Sequence, residues 1–219
     1  SSIAVTTSPT KTTFEHGETF NADGGKLTVT FASGTTETID LDEATLTETD
    51  DSTINMSPDA TAYTNNTLTK TIKVEYSGVT TTYDITINNT VGSISVTAPT
   101  TVKYNLNEAT DLTGGKVTIT RKAGNTEDVD LGNSKVTVSN FDTSVAGTNK
   151  TANVKYTEDG KDYAGTFAYT VIDNVTNIDI TAPTDVNFNH GDTLTFNGGN
   201  IKVTYASGTT QDVAITSDM

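Results

Sequence analysis

Apolar and polar residues alternate with a period of two along most of this chain. In Lys26-Leu27-Thr28-Val29-Thr30-Phe31, the residues Leu27, Val29 and Phe31 fall on one side and the threonines on the other. That is the pattern of a strand with one buried face. Residues 116–120 and 201–205 repeat it. The pattern predicts a hairpin turn over 32–36, where Gly34 is free to take a positive φ, and a return strand 37–41 with Ile39 and Leu41 facing inward. A second hairpin is predicted from 71–76 and 82–87, joined at Ser77-Gly78. Its counterpart runs 151–156 and 166–171, with a longer turn through Glu158-Asp159-Gly160-Lys161. Short first strands at 3–5, 94–96 and 178–180 are followed by prolines, which donate nothing to a ladder and belong at strand ends or edges. Threonine and valine suit such half-buried pleated surfaces because their χ1 is already restricted. No segment carries a 3.6-residue apolar stripe, and 42–60 has room for one helical turn at most.

The same landmarks recur at fixed spacing. Pro9, Phe14, Gly24-Gly25, Gly34 and Leu41 return as Pro99, Tyr104, Gly114-Gly115, Gly124 and Leu131, and again as Pro183, Phe188, Gly198-Gly199, Gly208 and Ile215. The offsets are 90 and then 84 residues throughout, longer than the roughly 20–50 residues of solenoid units and the size of a small domain. About seven short strands per repeat, with turn signals between, predict an all-β chain of tandem immunoglobulin-like β-sandwiches. The expected domains are 1–91, 92–175 and 176–219, the last being the N-terminal half of a third sandwich. The chain thus opens on a repeat and ends inside one, which points to a piece of something longer. Residues 88–93 and 172–177, the linkers, are short and unlike Gly/Ser spacers, so the sandwiches are expected end to end with limited swing, as an elongated rod.

Composition thins the expected core. Only 33% of the 219 residues are hydrophobic and the net charge is −15, a balance that leans toward disorder and is opposed here by the regular alternation. The charge divides as −9 over 1–91, −2 over 92–175 and −4 over 176–219. So acidic a chain repels phosphate backbones and anionic lipid, so no nucleic-acid partner is expected. No apolar run reaches the ~18 residues of a membrane span, and no membrane insertion is expected. With no cysteine, neither disulfides nor thiolate metal sites are available.

Candidate chemistry is sparse. His16 and His190 share one repeat position, but the second repeat has Leu106 there, so both are expected to be loop histidines. Asp40, Asp42, Glu43, Glu48, Asp50 and Asp51 form an acidic stretch that could supply oxygen ligands to calcium. It lacks Asp-x-Asp-x-Asp-Gly spacing and includes an insertion peculiar to the first repeat, which favours a solvated loop. No hydrolase, zinc-protease, phosphate-loop or dinucleotide motif occurs. No catalytic, cofactor-binding or metal-ligating residue is therefore assigned, no cofactor is expected, and the chain is expected not to be an enzyme.

Pro9-Thr10-Lys11-Thr12-Thr13-Phe14-Glu15-His16-Gly17-Glu18, then 24–31 and Gly34-Thr35-Thr36, resemble a bacterial Ig-like domain of the group-three type found in tandem on Gram-positive surface proteins. The segment Phe141–Thr151 is similar to that family's later Gly-Thr-before-strand stretch. The second repeat departs from the pattern with Asn107 for Gly17 and Arg121 for Phe31. The resemblance implies extracellular display on the bacterial surface or secretion, as a non-catalytic spacer that presents or tethers neighbouring domains of a longer protein. The alternative is an adhesin or carbohydrate-binding module with a glycan or protein ligand held by inter-strand loops such as 42–69. Some surface Ig-like domains also join a lysine to an asparagine, and Lys70 and Lys150 occupy matching positions for such a cross-link. The half sandwich 176–219 would expose an apolar face and open edges, a route to self-association.

Overall fold

The computed structural model describes residues 1–217 and is all-β, as the alternation requires. Its strands run β1 (Ser2–Thr7), β2 (Thr13–Glu15), β3 (Lys26–Thr30), β4 (Thr36–Asp40), β5 (Thr45–Glu48), β6 (Thr67–Tyr76) and β7 (Val79–Asn88) through the first repeat. The second repeat supplies β8 (Val91–Thr97), β9 (Lys103–Asn105), β10 (Lys116–Arg121), β11 (Thr126–Asp130), β12 (Val136–Ser139), β13 (Gly147–Glu158) and β14 (Lys161–Ile172). The chain continues with β15 (Val175–Thr181), β16 (Asn200–Tyr205) and β17 (Thr210–Ala214). The helical content of the 42–60 neighbourhood is two single 3-10 turns, Leu41–Glu43 and Ala60–Ala62.

Contacts divide the chain into two compact units: Ser1–Ile94 with the β10–β11 hairpin Ile119–Glu127, and Ser95–Thr118 with the described residues from Asp128 on. The first unit holds a three-stranded sheet, β1-β3-β4, and a four-stranded sheet, β2-β7-β6-β5. Leu27 and Val29 from β3, Ile39 from β4 and Leu41 form one buried cluster with Val74. Phe14, Met56, Ile72, Ile85 and Ile87 form another. Phe20, Leu46 and Tyr83 pack on both and join them into a single core. Each such side chain taken out of water contributes about 1.5–3 kcal/mol, and in β3, β6 and β7 the buried ones fall at alternate positions. Gly25 lies against that core because a Cβ there would stand 2.8 Å from Leu41 Cδ2.

The second repeat follows the same order, with sheets β11-β10-β8 and β12-β13-β14-β9. In the second unit Phe141 sits edge-on to three rings, at 5.5 Å from Tyr104, 5.1 Å from Phe167 and 4.9 Å from Tyr169. Edge-to-face packing matches the positive rim of one ring to the negative face of the next. The hydroxyls of two of these rings are satisfied: Tyr104 donates to the Thr101 carbonyl at 2.8 Å, and Tyr169 Oη accepts from the Asp142 N–H at 3.0 Å.

Strands β15-β16-β17 form a three-stranded sheet of the same order. Ile201 and Val203 are only half-buried there, whereas their counterparts Leu27, Val117, Val29 and Ile119 are buried. Phe188 is 40% exposed against 1% for Phe14 and 2% for Tyr104. Ile178 and Ile180 are exposed as well. Among the described residues no second sheet covers this face.

Three local expectations need correcting. Phe31 was expected to face inward with Leu27 and Val29, but it lies 42% exposed. Strand β3 ends at Thr30, so Phe31 stands at the hairpin mouth beyond the packed part of the sheet. The turn through residues 158–161 was expected to be long. It is instead a two-residue turn at Asp159 (φ 51) and Gly160 (φ 74), matching Ser77 (φ 52) and Gly78 (φ 77). Two successive positive φ values are the mirror-type geometry whose twist fits an antiparallel hairpin. The six-residue linkers shrink to Asn89-Thr90 and Asp173-Asn174, because β7, β8, β14 and β15 extend into them.

Candidate functional sites

The acidic stretch is taken up largely by internal partners. Glu48 Oε1 accepts from Lys70 Nζ at 2.5 Å and from the Asn55 N–H at 2.7 Å. Asp51 pairs with Lys73, and Asp50 accepts from Ser52 Oγ at 2.6 Å. Asp40 pairs with Lys26 at 2.5 Å and sits beside the turn that carries Asp42 and Glu43. Among the described residues no three His, Asp or Glu side chains converge as a metal cage.

Burial raises the Glu48 pKa, but the Lys70 ammonium and the Asn55 N–H outweigh it and hold the carboxyl below the usual range. A carboxyl whose folded pKa is depressed stabilises the fold at pH above its unfolded value of about 4.3, and that contribution is lost as pH falls through the folded value. Glu48→Gln is therefore expected to lower the melting temperature at pH 7 and to make it fall less between pH 5 and pH 2 than in the parent. Thermal melts across that range check it.

The two lysines considered for a cross-link sit in different surroundings. Lys70 faces the Glu48 carboxylate. Lys150 donates to the carbonyls of Asp142 at 2.7 Å and Val145 at 2.6 Å and lies 5.4 Å from the Tyr169 ring centroid. Among the described residues no asparagine side chain hydrogen-bonds to either ammonium.

His16 Nδ1 lies 2.8 Å from the Tyr63 hydroxyl, and the two rings are tilted 6.0 Å apart. It helps line an open cavity of about 570 Å³ with Lys11, Glu15, Glu18, Asn88 and Lys122. The charges of that cavity neutralise one another, because Lys11 pairs with Glu18 and Lys122 with Glu15. His190 is exposed.

The most distinctive polar constellation is one that the alternation did not show. In the first unit Asn89 is 1% exposed and fully engaged. Its Oδ1 accepts from the Ala123 N–H at 2.8 Å, its Nδ2 donates to Asn125 Oδ1 at 2.7 Å, and its backbone N–H donates to Asn66 O at 2.8 Å. Its carbonyl accepts from Arg121 Nη1 at 3.3 Å, and Lys122 N–H donates to the neighbouring Thr90 carbonyl at 3.0 Å. Arg121 is 4% exposed and pairs with Glu127.

The second unit repeats the arrangement 84 residues on. Asp173 Oδ1 accepts from the Ser207 N–H at 2.9 Å and its Oδ2 from Ser207 Oγ at 2.6 Å, while the Ala206 N–H donates to the Asn174 carbonyl at 2.8 Å. In both places an Asx residue just after a long hairpin strand is fastened to the tip of a hairpin that follows it. The conserved spacing of Asn89-Thr90-Val91 and Asp173-Asn174-Val175 was the available signal.

Removing one partner of a buried hydrogen bond leaves the others unsatisfied, at about 1–3 kcal/mol. Asn89→Ala is expected to cost that much in chemical denaturation and to speed amide exchange at Ala123. Asp173 is only half-buried, so Asp173→Ala is expected to speed exchange at Ser207 with a smaller change in stability.

No protein-family model and no curated protein matches the chain. Among solved structures it is similar to surface layer protein SbsC, domains 4–9, at 17% identity and a TM-score of 0.24. The alignment covers all of this chain and 38% of that one, so the chain spans well under half of its length. A superposition that loose carries no argument about function. No helix among the described residues is long and apolar enough to cross a membrane.

Proposed function

We propose that the chain is a non-catalytic spacer of a bacterial cell-surface or secreted protein, built of group-three Ig-like sandwiches over 1–91 and 92–175 and the N-terminal half of a third over 176–219, which presents or tethers neighbouring domains. The observation that carries this reading is the repeated Asx fastening. Two-residue connections held by the same backbone donors at Ala123 and Ser207 suit a chain that sets spacing. Side chains that would otherwise be free for chemistry are consumed in the same structural manner. The acids of the first repeat hold lysines, and the buried rings fill cores.

The test is carried out on cells that produce the whole parent protein. Protease shaving of intact cells is expected to release peptides of this region. Replacing it by unrelated sandwiches of equal length is expected to preserve the activity of whatever domain it carries. Retention inside the cell overturns the localisation. Specific binding on a glycan array that is lost on shortening the 49–66 loop overturns the spacer role in favour of adhesion. The uncovered β15–β17 face also gives this 219-residue chain a route to self-association, and light scattering across concentration is expected to show reversible dimers.

A further inference from the structure

Strands β2 and β7 lie near the two ends of the first repeat, yet they are parallel neighbours: Thr13 stands opposite Thr86, Phe14 opposite Ile87 and Glu15 opposite Asn88. The second repeat has the same device, with Lys103 opposite Thr170, Tyr104 opposite Val171 and Asn105 opposite Ile172. All other strand pairs with a described register are antiparallel.

We propose that these two short parallel ladders are mechanical latches, which tension drawn along the chain must shear before either sandwich can open. The direction of pull follows from strand polarity. Tension from the N-terminal side draws β2 toward its own start, and tension from the C-terminal side draws β7 toward its own end. In a parallel pair those directions are opposite along one axis, so the strands slide and the cross-links between them are strained together. A hairpin pulled apart at its open end loses its bonds one after another.

Each ladder is pinned at both ends. The Thr86 N–H donates to Thr12 O at 2.8 Å and the His16 N–H to Asn88 O at 2.9 Å. In the second repeat the Thr170 N–H donates to Val102 O at 2.8 Å and the Leu106 N–H to Ile172 O at 3.0 Å. At the middle of each latch sits a buried ring, Phe14 or Tyr104, which sliding would drag out of its core. The corresponding residues 187–189 carry the exposed Phe188 and lie in no described strand, so that segment has no latch. The inference gives the tethering role its physical means and rests on that role only for its use. The mechanics are tested on the isolated chain, independently of where the parent protein resides.

The experiment is single-molecule pulling of the full chain through handles at its two ends. Two high-force unfolding steps are expected, with residues 176–219 yielding at lower force. His16→Pro deletes the donor to Asn88 and is expected to lower the first repeat's unfolding force. Leu46→Ala, on the far edge strand β5, is expected to lower its melting temperature and leave the force nearly unchanged. Equal force changes in the two variants, or none in His16→Pro, overturn the proposal.

If the proline variant does not fold, the cysteine-free chain allows a second arm. Thr13→Cys with Thr86→Cys places a cross-link across the ladder. When oxidised it is expected to abolish the first repeat's unfolding step by hiding the roughly 250 Å of extension held between the two residues, at ~3.5 Å per residue. Reductant is expected to restore that step with a rupture force close to the parent's. Persistence of the full step on oxidation, or its return at a force no higher than that of residues 176–219, overturns the proposal.

Discussion

Phe14→Ala is expected to destabilise the first repeat by about 3–5 kcal/mol in chemical denaturation, the range for emptying an aromatic site in a packed core. The ring is 1% exposed and clusters with Met56, Ile72, Ile85 and Ile87, and it lies 5.8 Å from Phe20 at a 43° tilt. A richly packed domain could collapse around such a void. This one draws its core from alternate positions of short strands, with threonines on the outer faces, and has few spare apolar side chains to move inward. Domains of this size are stable by only about 5–15 kcal/mol, so the loss is expected to leave a large unfolded fraction at 37 °C. Phe188→Ala, at the matching but exposed position of the third repeat, is the internal control and is expected to cost far less.

Gly114→Ala is the second large effect, and Gly124→Ala separates its causes. Both glycines adopt positive φ, 79° and 92°, a conformation that costs an L-residue about 1–2 kcal/mol. At Gly124 a Cβ meets nothing within 4 Å, whereas at Gly114 it would stand 2.3 Å from Thr100 Oγ1. Crowding of that kind adds about 1–3 kcal/mol where the neighbour is held in place. Gly114→Ala is therefore expected to lower stability by about 2–5 kcal/mol, the sum of both contributions, and Gly124→Ala by about 1–2 kcal/mol, the backbone contribution alone. Equal losses in paired denaturation curves would show that Thr100 yields freely. Gly124→Asn is expected to recover part of the smaller loss, because asparagine tolerates left-handed backbone.

The strands were legible because burial imposes a period. Leu27, Val29, Ile72, Val74 and Ile85 are all buried, as their spacing predicts. What the period could not show falls where the period stops. Phe31 keeps the phase of β3 but lies one residue past its end, and alternation alone does not mark where packing ceases. Asn89 and Asp173 stand in linkers, where a polar residue looks the same whether solvated or buried against donors. The ladders of β2 and β9 are three residues long, too short for an alternation to register, and their parallel partners lie more than sixty residues away. The acidic stretch was visible as charge, but its pairing with Lys70 and Lys73 depends on β6 running beside β5.

Between β5 and β6 the first repeat spends residues 49–66, while the second closes the matching gap between β12 and β13 with 140–146. One scaffold thus tolerates both a generous and a frugal splice at the same corner, and it does so without shifting the turns or the Asx fastenings downstream. Here descent could lengthen, decorate or trim a copy without disturbing its neighbours. An engineer seeking a graft site for a foreign peptide would begin at that corner.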